Sequence, residues 1–145
     1  MRLLVQRVIQ AKVTVGNKDV GSIGPGALVF FGVKKEDSES AVDYLVNKLI
    51  HLRMFTDDQG KMNLSLLDKG YAILAVSQFT LYGDCSAGRR PSFTQSEHPA
   101  RAEKLYNRFV QKLKDELNVE TGVFGAKMEV SLINDGPVTF LIDSK

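Results

Sequence analysis

Between Leu3 and Val15 the apolar side chains fall on odd positions, Leu3, Val5, Ile9, Ala11, Val13 and Val15, with Gln6, Gln10, Lys12 and Thr14 among the even ones. A period of two marks an extended strand with one covered face, or a strand pair with a bend. Arg7 interrupts the series on its apolar side. A buried guanidinium without partners is very costly, so Arg7 should either find acceptors waiting in a site or interface, or lay its stem along a sheet edge with its head in water. Asn17–Gly26 is rich in turn residues around a short apolar pair, Val20 and Ile23. Ala27–Val33 is then almost wholly apolar, as expected of a strand covered on both faces. After Lys34–Asp37 the period lengthens: Val42, Leu45, Leu49 and Leu52 keep helical spacing, with Asp37 or Ser38 as cap and the apolar face against a sheet. His51 lies beside that stripe with no ligand-type residue at helical spacing, which suits a structural role.

Asp57–Gly60 is a turn. Tyr71–Tyr82 (YAILAVSQFTLY) begins as a buried strand and then admits Ser77, Gln78 and Thr80, polar groups that need partners or a purpose at that depth. Gly83–Ser96 is a polar loop centred on Arg89–Arg90, and loops of this length in a compact domain tend to be functional. A second helix follows Pro99, with Ala102, Leu105, Phe109, Leu113 and Leu117 on one face and Arg101, Lys104, Arg108 and Lys112 on another. Such a basic face is commonly solvated surface, yet with Arg89 and Arg90 it also suits phosphates. Val119–Ala126 reads as an irregular connection, and Met128–Ile133 as a strand. In Ser131–Ile142 two β-prone runs meet at Asn134-Asp135-Gly136-Pro137, which local rules make a hairpin turn.

The 145 residues, 43% hydrophobic and 25% charged, fit a single globular domain over 1–145 with a real core. A net charge of +2 permits RNA without requiring it. The single cysteine excludes an internal disulfide, no stretch is long and apolar enough to span a membrane, and the N-terminus has no signal-peptide pattern, so a cytoplasmic protein is expected.

Little in the chain offers side-chain catalysis. Two distant histidines and one cysteine, without an acidic cluster at ligand spacing, argue against a metal site, and no phosphate-binding loop or dinucleotide fingerprint suggests a cofactor. A Cys85 nucleophile with His98 as base has no recognisable signature. Ser77 or Thr80 would need a base, and none is adjacent. Backbone N–H groups of Ser77-Gln78-Phe79-Thr80 can instead stabilise an oxyanion without any side chain.

Gln6-Arg7-Val8, Gly60-Lys61-Met62-Asn63, Ser77-Gln78-Phe79-Thr80-Leu81, Gly88-Arg89-Arg90-Pro91-Ser92-Phe93, Phe124-Gly125-Ala126 and Asn134-Asp135-Gly136-Pro137-Val138-Thr139 together resemble the D-aminoacyl-tRNA deacylases across essentially the whole chain. The resemblance implies a three-layer β/β/α fold of the α/β class, with mixed, barrel-like sheets and two main helices. It also implies a cytoplasmic homodimer that binds aminoacyl-tRNA, needs no cofactor, and hydrolyses the ester of D-aminoacyl-tRNA and of glycyl-tRNA mischarged on tRNA-Ala. In that family Ser77, Gln78, Phe79 and Thr80 would border the ester. Gly136 and Pro137, joined by a cis peptide and fixed by Arg7, would enter the partner subunit's site, hold the ammonium through main-chain carbonyls and exclude an L side chain. Arg89, Arg90 and Arg101 are the candidate tRNA contacts. Two mechanisms stay open, a Thr80 nucleophile or water oriented by the substrate's ribose hydroxyl beside a backbone oxyanion hole. Outside this family the rivals are a non-catalytic nucleic-acid-binding module and a small-molecule esterase.

Overall fold

A computed structural model describes all residues, Met1–Lys145. The chain runs β1 (Arg2–Val15), β2 (Lys18–Ile23), β3 (Gly26–Gly32), α1 (Glu39–Ile50), β4 (Phe55–Thr56), β5 (Met62–Leu64), α2 (Leu66–Lys69), β6 (Ala72–Ser77), a 3-10 segment (Phe79–Tyr82), α3 (Pro99–Lys114), β7 (Val119–Thr121) and β8 (Glu129–Asp143). The main sheet has the order β2-β1-β3-β6-β7, with β8 on the other edge of β1. β1 is long enough to pair antiparallel with β3 through its first half and with β2 through its second, while β6 lies parallel to both β3 and β7. The sheet curls until β2 approaches β7, giving a nearly closed barrel. Gly21 permits that approach, because a Cβ there would sit 2.5 Å from the Thr121 carbonyl oxygen.

Two apolar cores follow from this topology. Ala27, Val29 and Phe31 of β3, with Ile73 and Ala75 of β6, pack under α1 and α3, whereas Leu28, Leu74 and Val76 fill the barrel interior. Both faces of β3 and β6 are therefore covered, which is why these strands are continuously apolar. α1 and α3 supply Val42, Leu45, Leu49, Leu105, Phe109 and Leu113 to the outer core, and Phe31 stacks on Phe109 at 4.6 Å.

β1 departs from its sequence pattern. Leu3 and Val5 face the helix-side core, but Val8, Ala11 and Val13 face the barrel, and Ile9 is 53% exposed. The face changes because β1 carries an extra residue at Ile9, where the pairing with β8 shifts register.

The Ser131–Ile142 stretch is not a hairpin turn. β8 continues through it, pairing with β1 on both sides: Val8 opposes Asn134 and Gln6 opposes Thr139. Between those pairs β1 contributes only Arg7 and β8 contributes Asp135, Gly136, Pro137 and Val138, so the four residues arch out as a wide bulge. The turn chemistry is real, but strand pairing to β1 resumes instead of the chain reversing.

Two other readings sharpen. After Ser77, which ends β6, the polar half of Tyr71–Tyr82 winds into the 3-10 segment, and part of Val119–Ala126 is β7. Ser38, one of the two expected caps, occupies the N-cap of α1, though its hydroxyl meets Ser40 and not a helix N–H. Asp37 is otherwise engaged, accepting from the Met1 ammonium at 2.6 Å and from the Lys34 N–H at 2.6 Å. No helix is long and apolar enough to cross a membrane.

Candidate active site

Arg7 is 8% exposed and its acceptors are present. Nη1 donates to the buried Met54 carbonyl at 2.7 Å, Nε donates to the Asp135 carbonyl at 3.2 Å, and Nε lies 3.0 Å from the Asp135 carboxylate. The one β1 residue facing the bulge thus ties its first residue to the turn after α1. Asn134 closes the base: its side-chain amide donates to the carbonyls of Arg7 at 2.8 Å and Val138 at 3.0 Å. Held from both sides, the exposed Gly136 and Pro137 present main chain to the outside, and the peptide between them is cis. Asn134 and the Asp135 carboxylate were not singled out in the sequence, since Asn and Asp before Gly-Pro are ordinary turn residues. Arg7, Ile9, Phe55, Lys69, Tyr71 and Asp135 border a cleft of about 310 Å³ beside the bulge.

The second constellation is at the end of β6. Ser77 ends the strand, the Gln78 N–H donates to the Phe31 carbonyl at 2.8 Å, and the chain then winds into its 3-10 turn. Because that turn begins at Phe79, the N–H groups of Phe79 and Thr80 have no intrachain acceptor. The Thr80 hydroxyl accepts from the Gln78 amide and meets no His, Lys or carboxylate. An open cavity of about 280 Å³ lies here, walled by Ser77, Gln78, Phe79, Gly125, Ala126 and Met128. Gly125 and Ala126 therefore share this cavity with the start of the 3-10 segment, while Phe124 borders the smaller void beside it.

Nearby titratable groups are committed elsewhere. Glu97 borders a small void behind Ser77–Phe79. The His98 N–H, followed by Arg101, holds its carboxyl below the usual glutamate range. Burial, with Asp37 nearby, pushes the Tyr82 phenol up to about 12, so it stays neutral at physiological pH. The exposed Cys85 thiol and the His98 ring form no hydrogen bond with each other.

The basic helix face is largely neutralised. Arg101 pairs with Glu97 at 2.7 Å and donates to the Asp37 carbonyl, Arg108 pairs with Glu39 and Asp43, and Lys112 pairs with Asp43 at 3.1 Å. Arg89 and Arg90 make no ion pair and no side-chain hydrogen bond. These acids of α1 were the part missing from the one-helix view of the basic stripe.

The sequence profile described as D-Tyr-tRNA(Tyr) deacylase matches residues 4–143. A protein of Thermosipho melanesiensis named D-aminoacyl-tRNA deacylase is 59% identical, over 100% of this chain and 98% of its own. One of the same name from Symbiobacterium thermophilum is 57% identical, covering 100% and 97%. Among solved structures, one named c-Myc DNA Unwinding Element Binding Protein superposes with a TM-score of 0.94 at 40% identity, covering 100% of this chain and 99% of that one. A probable eukaryotic D-amino acid tRNA deacylase, 23% identical with a TM-score of 0.83 over 98% of each chain, shares the fold. A profile matched almost end to end, together with full-length relatives more than half identical, shows that this chain belongs to the D-Tyr-tRNA(Tyr) deacylase family.

Proposed function

We propose that the protein hydrolyses the ester joining a D-amino acid, or glycine mischarged on tRNA-Ala, to the terminal ribose of tRNA, and acts as a cytoplasmic homodimer. The observation that carries this reading is the bulge clamped by Arg7, which turns the Gly136–Pro137 main chain outward in a chain whose relatives are named for this reaction. Main-chain carbonyls there suit an ammonium group, and rigid backbone makes a better chirality filter than a pocket. Pocket contacts that merely prefer one extra methylene discriminate by about 10- to 200-fold, whereas a fixed carbonyl in the path of an L side chain excludes it sterically.

Two features support a filter acting across subunits. The clefts at Arg7 and at Ser77 share no lining residue, and about 15–20 Å of β8 separates Gly136 from Val130, which borders the Ser77 cavity, at about 3.3 Å per strand residue. A chain's own Gly136–Pro137 therefore stands away from its own Ser77–Thr80. β8 also has an unpaired outer edge and exposes Ile133 and Leu141, which favours a second copy seated against it.

In the hydrolysis, water adds to the ester carbonyl carbon, oriented by the neighbouring ribose hydroxyl. The N–H groups of Phe79 and Thr80 donate hydrogen bonds to the developing oxyanion. Collapse breaks the bond to the ribose oxygen, which takes up a proton, releasing free amino acid and tRNA. Thr80 acts through its backbone, because its hydroxyl meets only Gln78. Thr80→Ala should therefore lower kcat only modestly in single-turnover assays. A loss of about a thousandfold or more would make Thr80 the nucleophile.

The name of the c-Myc DNA Unwinding Element Binding Protein favours one other reading, a non-catalytic nucleic-acid-binding module. Catalytic amounts of pure protein with matched D- and L-tyrosyl-tRNA, with and without chelator, separate the two. Release of only the D-amino acid, unchanged by chelation, is expected; steeply salt-dependent binding with no release would establish the module instead.

A further inference from the structure

Phe79 and Phe93 are 57% and 40% exposed, with ring centroids 5.0 Å apart in an edge-to-face arrangement. Most other large exposed apolar side chains are aliphatic, and an exposed aromatic pair offers flat faces that water solvates poorly. Hydrogen bonds tie down the segments that carry the pair. The Ser96 hydroxyl donates to the Phe79 carbonyl at 3.1 Å, and Asp84 and Ser92 exchange two backbone hydrogen bonds of 2.8 Å at the neck of the loop carrying Phe93. Gly83 lies directly beneath the Phe93 ring, where a Cβ would come within 3.0 Å of it. The same loop carries Arg89 and Arg90, whose guanidinium groups make no ion pair, in contrast to those of Arg101 and Arg108.

We infer that Phe79 and Phe93 form a stacking platform for an unpaired base in the single-stranded 3′ end of the substrate RNA, upstream of the ester-bearing nucleotide, with Arg89 and Arg90 meeting its phosphates. Flat aromatic faces beside uncommitted arginines are the recurring chemistry for single-stranded nucleic acid. Position narrows the choice: in the deacylase reading Phe79 belongs to the segment that borders the ester, so a base stacked against this pair is within a nucleotide or so of the scissile bond, and an ester lacking every upstream base separates the terminal base from its neighbours. The inference rests on the deacylase reading for the identity of the RNA.

The test compares D-tyrosyl-tRNA with D-tyrosyl-adenosine, which keeps the ester and its nucleoside but lacks every upstream base. Phe93→Leu should lower kcat/KM for the tRNA by about 5- to 100-fold, mainly through KM, as expected for the loss of one base stack. Turnover of D-tyrosyl-adenosine should stay unchanged, and Phe93→Tyr should restore the tRNA value. Equal losses on both substrates, or none on either, overturn the platform. An arm independent of turnover measures the affinity of the unfolding-checked variants for an uncharged RNA hairpin with a single-stranded 3′ extension. If the wild type binds this RNA in a Phe93-dependent way yet hydrolyses neither ester, the deacylase reading fails while the platform stands. If Phe93→Leu does not fold, Arg89→Ala with Arg90→Ala takes its place. This surface pair should reduce the salt dependence of RNA binding by about one to two phosphate contacts, and an unchanged slope refutes the arrangement.

Discussion

Arg7→Met is expected to lower the unfolding free energy by about 2–3 kcal/mol and kcat/KM for D-tyrosyl-tRNA by about a hundredfold. The stability loss comes mainly from acceptors left behind. Met54 offers its carbonyl to Arg7 in a buried setting, and a buried polar group that loses its partner costs about 1–3 kcal/mol. The Asp135 carboxylate adds less, because it is about half exposed and water screens the pair. Methionine fills similar volume and keeps the apolar stem, so cavity formation contributes little. The activity loss has another source: the bulge is positioned by Arg7 from one side and Asn134 from the other, and in the proposed reading it meets substrate, where a displacement of about 1 Å can cost about a hundredfold. Arg7→Lys should fall between, since one ammonium replaces a guanidinium that reaches two carbonyls and a carboxylate. Urea unfolding and D- against L-tyrosyl-tRNA kinetics measure both effects. A Met variant with full stability and an unchanged D-to-L ratio would separate Arg7 from the bulge altogether.

Arg7 also marks what was legible before the structure. Its place on an apolar face left two outcomes, acceptors waiting or a stem along a sheet edge with the head in water, and the structure has the acceptors; their identity was not readable, because Met54 and Asp135 contribute main-chain oxygens that no side-chain pattern announces. The doubly covered β3 and both long helices follow from hydrophobic periodicity, which depends on burial on each face. Register does not. The extra residue at Ile9 leaves an apparently regular alternation intact in sequence while moving Ala11 and Val13 from the helix-side core into the barrel. The Asn-Asp-Gly-Pro signal was correct as local chemistry and misleading as topology, since the choice between reversing and bulging was made by a partner strand 127 residues away at Arg7. Likewise the stripe of Arg101, Arg108 and Lys112 is a genuine basic face, but Glu39, Asp43 and Glu97 answer it from elsewhere in the chain. That leaves Arg89, Arg90 and Lys104 of the original set without an ion-pair partner, and of these Arg89 and Arg90 share the loop after the 3-10 segment.

Gly136→Ala should be as damaging to activity as any single methyl group added to this chain, with kcat/KM for D-tyrosyl-tRNA falling by about a hundredfold or more. Gly136 has φ +136°, a backbone region that L residues rarely adopt, and holding alanine there costs on the order of 1–3 kcal/mol. Crowding adds to that: the new Cβ would lie 2.6 Å from Val138 Cγ2, 2.8 Å from the Val138 backbone nitrogen and 3.4 Å from Arg7 Nη2. The valine methyl can be removed, but the nitrogen cannot. The double variant Gly136→Ala with Val138→Ala therefore discriminates between side-chain crowding and backbone geometry. Relief of the first contact alone should leave activity near that of the single variant, because the backbone clash and the unfavourable φ persist. Full recovery in the double variant would mean that the bulge tolerates a Cβ and that only the Val138 side chain excludes it. Selectivity would then have to come from something other than the fixed main chain at Gly136, and the filter assigned to this bulge would be wrong.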